Sequence, residues 1–331
     1  MNISQIAKLA GVAPATVSRY LNNGYVSEEK KERIRRIIEE TGYRPMTSAQ
    51  IMRTGKSHLV AVIMSGLRAE PAAAMSEGIT KALSGTGYRC VMANTGGSMK
   101  KELEYLQIYR DNDVDGVILM ARLITREHHE LMLSYKKPIV ILGQFDTKYP
   151  CVYYDDHAAA NDVVEHMIKN GCKHIGALYS PDFEGGAQRE RFDGYYDAVK
   201  NGGLEYDERL TAETESTVAG GYESMKRLIE SGAVLDGVFC SDDAAAFGAI
   251  NYLQSKGYRI PEDIKVGSVG DSYMSAVVRP SLTTAHLHYE TGGKEASKIL
   301  REKIEGNVPI TKQYKLGHKL CERDTTKAIA K

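Results

Sequence analysis

Near the start of the chain, Thr16, Ser18, Arg19, Tyr20 and Asn22 fall within seven residues and project from a single predicted helix. Hydroxyl, guanidinium and amide groups grouped in this way bond phosphate oxygens and base edges, and a helix fits the major groove of a duplex. The plainer alternative is the solvated face of a small helical hairpin. No catalytic pattern competes with this one. The sequence holds no GxSxG, no GxxxxGK[ST], no HExxH and no Cys/His ligand spacing. His128-His129 read as helix-surface residues and His286/His288 as crossover residues, so neither a metal nor a cofactor is expected.

The elements that must position these side chains are two short helices and a tight turn. Ile3, Ile6, Ala7 and Leu9-Ala10 recur at helical spacing, Gly11 interrupts them and Val12 restarts the pattern. Asn2 with Gln5 three places on caps the first helix, and Pro14 opens the second, where its missing N–H costs nothing. Ala7, Gly11, Val17 and Leu21 are small or apolar where the helices must touch. This is helix-turn-helix spacing. A third helix runs from Ser27 to Gly42 with Glu28 and Glu29 at its positive end and Ile34, Ile37 and Ile38 as its packing stripe. Residues 47–55, TSAQIMRTG, are helix-forming but too short to be stable alone, which predicts a linker or a helix that forms only with a partner.

Charge divides the chain in the same place. Residues 1–57 hold 10 Lys+Arg against 5 Asp+Glu, the rest 33 against 38, for a formal total of zero. A basic head on an acidic body suits a head that meets phosphate. The five cysteines stand singly, as expected of reduced thiols in a cytoplasmic protein. With no signal-peptide pattern and no apolar run of about 18 residues, a soluble protein without membrane contact is expected.

From His58 onward, buried-type strands alternate with helices: LVAVIM, YRCVMAN, DGVILM, PIVILG and CVYYD, then HIGALYS, DGVFCSD and IKVGSVG. Strands separated by 10–15-residue helices mean βαβ units and parallel sheets. There are too many for one sheet, which predicts an α/β body of two doubly wound lobes with a ligand crevice at the carboxyl ends of the strands. The chain is expected to cross between lobes near 155, 286 and 312. The GG pairs at 96–97, 185–186, 202–203 and 220–221 read as loop punctuation.

IAKLAGV, ATVSRYLNN, YVSEE and GYRP in the head, with ERFDGY (190–195), SDDAAAFGA (241–249), IPEDIKVGSVGD (260–271) and RPSLTT (279–284) in the body, resemble the LacI/GalR (lactose–galactose repressor) family over essentially the whole chain. The resemblance implies a helix-turn-helix headpiece at 1–46, a hinge helix and linker at 47–57, and at 58–331 a body like the periplasmic sugar-binding proteins. Lobe 1 would span about 58–155 and 287–312, lobe 2 about 156–286 and 313–325. It further implies a homodimer on a pseudo-palindromic double-stranded operator, probable repression being the family default, and a small sugar effector between the lobes. The DNA contacts carried over are Thr16, Ser18, Arg19, Asn22 and Tyr43, with Ala49 and Met52 on the hinge helix; Met52 replaces the usual minor-groove leucine. The effector residues carried over are Arg191, Asp242, Asp155, Gln144 and Asp271, with Asp243 capping the helix after Asp242.

Two departures bear on the ligand. Ser268-Val269-Gly270-Asp271 lacks the first carboxylate of the usual Gly-Phe-Asp-Asp, and SGLRAEPAAA (65–74) removes an aromatic wall while adding Arg68. A sucrose- or trehalose-type glycoside is the expected effector, with a phosphosugar or a protein partner as alternatives. Induction versus corepression is open at this level.

Overall fold

The computed structural model describes residues 1–21, 24–43, 56–67, 70–112, 114–180, 186–306 and 311–328. Contacts divide the chain into two units, Met1–His58 with Asp113–Asp115, and Leu59–Asn112 with Gly116–Lys331.

The first unit carries three helices, α1 (Ile3–Ala10), α2 (Pro14–Leu21) and α3 (Glu28–Thr41). Asn2 and Gln5 form a reciprocal capping box, the Asn2 side chain accepting from Gln5 N at 3.0 Å and the Gln5 side chain from Asn2 N at 2.9 Å. Gly11 ends α1 at φ 64°, so the turn needs a left-handed residue. A Cβ there would come no closer than 3.7 Å to Arg33, so backbone conformation, not close helix crossing, demands this glycine. Ile6, Ala7, Ala10, Val17, Val26, Ile34 and Tyr43 form the buried core. Leu9 is 55% exposed although it belongs to the apolar run, because it lies about 100° around the helix from Ala10.

The second unit contains two six-stranded sheets. The first uses β1 (Leu59–Met64), β2 (Arg89–Asn94), β3 (Gly116–Met120), β4 (Ile139–Leu142), β5 (Cys151–Tyr154) and β11 (Gln313–Leu316), ordered β11-β5-β4-β3-β1-β2 and parallel throughout. Around it lie α4 (Glu70–Leu83), α5 (Met99–Asp111), α6 (Arg126–Leu133) and, late in the chain, α11 (Tyr289–Ile304). With helices on the sheet, β3 and β4 are buried along their whole length, which is why they read as unbroken apolar runs. α4 and α11 meet at glycines: a Cβ on Gly78 would sit 2.0 Å from the Glu290 carbonyl oxygen, and one on Gly293 2.0 Å from that of Met75. Gly78→Ala is therefore expected to force the helices apart and lower stability by about 2–3 kcal/mol, read as a shifted urea midpoint.

The second sheet uses β6 (Ile175–Tyr179), β7 (Thr211–Glu213), β8 (Gly237–Cys240), β9 (Lys265–Gly270), β10 (Thr283–Leu287) and β12 (His318–Cys321), ordered β12-β10-β9-β8-β6-β7, with β12 alone antiparallel. Its helices are α7 (Asp156–Lys169), α8 (Ala187–Asn201), α9 (Val218–Glu230) and α10 (Asp243–Ser255). β7 carries no apolar run and is invisible in the sequence pattern.

Three expectations are corrected. The third crossing falls at Gly317 and not near 312, because Gln313–Leu316 completes the first sheet beside β5 and Leu316 is buried in that lobe. Gly220-Gly221 lie inside α9 and not in a loop; a Cβ on Gly221 would sit 2.1 Å from the Ala245 carbonyl, so this is a close helix contact. His128 is fully buried and not on the helix surface: its Nδ1 accepts from Thr125 N at 3.2 Å, and its Nε2 lies 3.4 Å from the buried Glu102 carboxylate. The other two crossings lie at Asp155, between β5 and α7, and at His288, between β10 and α11. All five cysteines are free. No described helix is long and apolar enough to cross a membrane.

Candidate DNA-reading face and effector crevice

In the headpiece, Val17 is the buried residue of α2, and Tyr20 and Leu21 pack half-buried against the same core. Arg19, Pro14 and Ala15 are exposed, while Thr16 and Ser18 are half-buried. The start of α2 thus exposes two small side chains that offer only apolar contact, and its last turn exposes the Arg19 guanidinium. Tyr43, expected at phosphate, contributes its ring to the headpiece core beside Ile34 and Val26. Asn22, Ala49, Met52 and residues 47–55 of the hinge segment lie outside the described residues.

In the body, Arg191 meets residues that follow the carboxyl ends of β5, β8 and β10, namely Asp156, Ser241 and Tyr289. It enters from α8 and is buried. Its Nε donates to Asp156 Oδ1 at 2.7 Å, Nη1 to the Ser241 carbonyl at 2.6 Å and Nη2 to the Tyr289 hydroxyl at 3.2 Å. Asp156 and Ser241 belong to the second lobe and Tyr289 to the first, so one guanidinium ties both. Burial alone would lower the pKa of Arg191, but the Asp156 carboxylate outweighs it and holds the group firmly charged. A second tie across the lobes is the Tyr273 N–H, which donates to Glu70 Oε1 at 2.7 Å. Sequence reasoning missed Asp156 and Tyr289. The Asp155-Asp156 doublet was the available signal, and only its first member was counted.

The other effector residues carried over are busier than expected. Gln144 is buried and spends its amide on the loop after β3, donating to the Ala121 carbonyl at 2.9 Å and to that of Arg122, and accepting from Ile124 N at 3.0 Å. It shapes the crevice wall and has no donor left for a ligand. Asp271, at φ 54°, accepts from Arg323 at 2.6 Å and lies 3.0 Å from His286 Nδ1, so it is committed to β10 and the chain's last segment. Asp155 caps α7 and pairs with Lys315 at 2.8 Å. Arg68 lies outside the described residues.

The cap expected of Asp243 is made by Asp242, while Asp243 turns into the core. Asp242 is the cap of α10, accepting from Ala245 N at 2.9 Å. Asp243 is buried and accepts from Ser268 Oγ at 2.5 Å, Ser272 N at 2.6 Å, Ser275 Oγ at 2.7 Å and Thr284 Oγ1 at 2.7 Å. It is the internal anchor of β9, β10 and the segment between them. Asp242 keeps one oxygen in hand: its Oδ2 is buried without a hydrogen-bond partner, as are Ser241 Oγ and Gln188 Oε1. Buried polar atoms left unpaired are costly; Ser241 and Asp242 adjoin the carbonyl that Arg191 holds, and Gln188 precedes Arg191 by one turn of α8. Among the described residues, no group of three His, Cys, Asp or Glu side chains is arranged to hold a metal.

Comparisons with known proteins match this geometry at both ends. The family model described as bacterial regulatory proteins, lacI family, matches residues 2–46, and that of the periplasmic binding protein-like domain matches 164–326. The HTH-type transcriptional regulator RegA of Clostridium saccharobutylicum is 28% identical over 98% of this chain and 99% of its own. A solved structure described as a transcriptional regulator CelR-cellobiose complex is 28% identical, with TM-score 0.75, over 98% of this chain and 99% of that one. The lac repressor dimer bound to operator and the anti-inducer ONPF superposes with TM-score 0.86 over 98% of this chain and 99% of that one; at 21% identity it shares the fold. With its headpiece and its two-sheet body each matched in place and in order, the chain belongs to the LacI/GalR family and is a DNA-binding transcriptional regulator, not an enzyme.

Proposed function

We propose that this protein represses a carbohydrate-utilisation operon and that a small sugar in the crevice, of the sucrose or trehalose type, controls its hold on DNA. The observation that carries the sugar reading is Arg191, a buried guanidinium reaching both lobes, beside the unpaired oxygens of Asp242, Ser241 and Gln188. Paired hydroxyl–carboxylate and hydroxyl–guanidinium bonds hold a neutral sugar. A ligand that engages both lobes has different contacts when they move, which is the differential affinity that operator control requires. The regulator acts as a cytoplasmic homodimer that places two α2 helices in successive major grooves of a pseudo-palindrome. Thr16, Ser18 and Arg19 carry the contact from α2, with Asn22, Ala49 and Met52 completing it; Tyr43, its ring in the headpiece core, has only its hydroxyl to offer a phosphate.

The test uses the full chain. Duplex selected from a random pool supplies the operator, and fluorescence anisotropy follows its release as mono- and disaccharides are added. One sugar that raises the melting temperature as RT ln(1 + [L]/Kd) and shifts operator affinity supports the reading. A flat panel with folded, DNA-binding protein removes the sugar. On the same selected duplex, Arg19→Ala is expected to weaken binding by about 1–3 kcal/mol, roughly 5- to 150-fold, with the melting temperature unchanged because the side chain is exposed.

A further inference from the structure

We infer, on the sugar reading above, that the crevice selects an uncharged, hydroxyl-rich effector over its phosphorylated counterpart, and that Asp156 is the residue that sets this choice. Among the described residues, three cations near the lobe crossings and the segment after β9 each have a carboxylate of their own: Arg191 on Asp156 at 2.7 Å, Lys315 on Asp155 at 2.8 Å and Arg323 on Asp271 at 2.6 Å. Among the described residues on α8 and at the start of α10, the buried polar atoms without partners are Asp242 Oδ2, Gln188 Oε1 and Ser241 Oγ, two acceptors and a hydroxyl. The site's unmet demand is thus for donors.

A sugar hydroxyl meets that demand in both directions. It donates to a carboxylate or amide oxygen and accepts from the two guanidinium N–H groups that Arg191 has not already used. A phosphate monoester carries close to two negative charges near neutrality and brings acceptors alone. To use Arg191 it must approach a guanidinium whose charge Asp156 already balances, with the Asp242 oxygen nearby. Asp156 and Arg191 are both buried, so little solvent or salt lies between these charges to screen them. Asp156 acts on the ligand's charge through Arg191; Asp242, Gln188 and Ser241 read its hydroxyls.

The experiment is isothermal titration of the full chain with glucose, cellobiose, sucrose and trehalose, and with glucose 6-phosphate and trehalose 6-phosphate, repeated on Asp156→Asn. Asparagine keeps an oxygen to accept from Arg191 Nε and removes the charge. The wild-type protein is expected to bind a neutral sugar at least about 100-fold tighter than its phosphate, and Asp156→Asn to narrow that ratio about tenfold or more, chiefly by tightening the phosphate. Asp242→Asn, where the side chain is half-buried and a cap is retained, is expected to narrow the ratio in the same direction and serves if the first variant does not fold. A phosphorylated sugar that binds the wild-type chain as tightly as its neutral parent, or a ratio unmoved by either variant, overturns the inference and leaves the sugar reading standing. Absence of saturable binding by every member of both classes overturns the two together.

Discussion

Arg191→Ala is expected to lose about 3–5 kcal/mol of stability and all response to the effector, because it strands the buried Asp156 carboxylate and cuts the bond from α8 to Tyr289. Urea unfolding of the full chain measures the first loss, and sugar-dependent thermal shift the second. Two further variants separate the causes. Arg191→Lys keeps the charge but replaces a planar fork with a point donor, so it cannot hold Asp156, the Ser241 carbonyl and Tyr289 at once. It is expected to recover part of the stability and little of the ligand response. The double change Arg191→Met with Asp156→Leu removes both buried charges, and such apolar replacements of an ion pair are often neutral or stabilising. It is expected to unfold near the wild-type urea midpoint and still ignore sugar. A double variant that kept the effector response would remove Arg191 from the ligand site.

Asp243→Ala is expected to cost on the order of 4 kcal/mol, because four donors that converge on one buried carboxylate lose their acceptor together. Three are hydroxyls that can turn elsewhere and one is the backbone N–H of Ser272, which cannot. Asp243→Asn, retaining one oxygen, is expected to cost about half as much. The neighbouring Asp242→Ala removes a helix cap and is expected to cost only about 1 kcal/mol. The same denaturation series thus decides which member of the doublet anchors the fold. Equal losses at the two positions would contradict the division of labour described above.

The headpiece was legible because its determinants are local. Asn2, Gln5, Gly11 and Pro14 each act within four residues of themselves, through a cap, a left-handed turn or a missing N–H. The alternation of apolar runs and helices likewise predicted two parallel sheets, since a strand covered by helices on its sheet must be apolar along its length. Where the signal was weak, so was the reading. β7 is three polar-leaning residues at a sheet edge, and the boundary between β11 and β12 is a single glycine between two strands of similar texture.

By itself, then, the sequence determined the helix-turn-helix and the two-lobed α/β body, because periodicity, capping and turn chemistry are short-range properties. Only the tertiary structure decided who meets whom there. Arg191 and Asp156 lie far apart along the chain, as do Arg191 and Tyr289, and Gln144 is drawn away from any ligand by the carbonyls of the loop after β3. Of two adjacent aspartates, the first, still in extended backbone, bonds forward to cap the helix and the second, the first helical residue, turns into the core, a difference that no count of carboxylates contains. A side chain's chemistry is written in its type, but whether that chemistry is free or already spent depends on partners that only folding supplies.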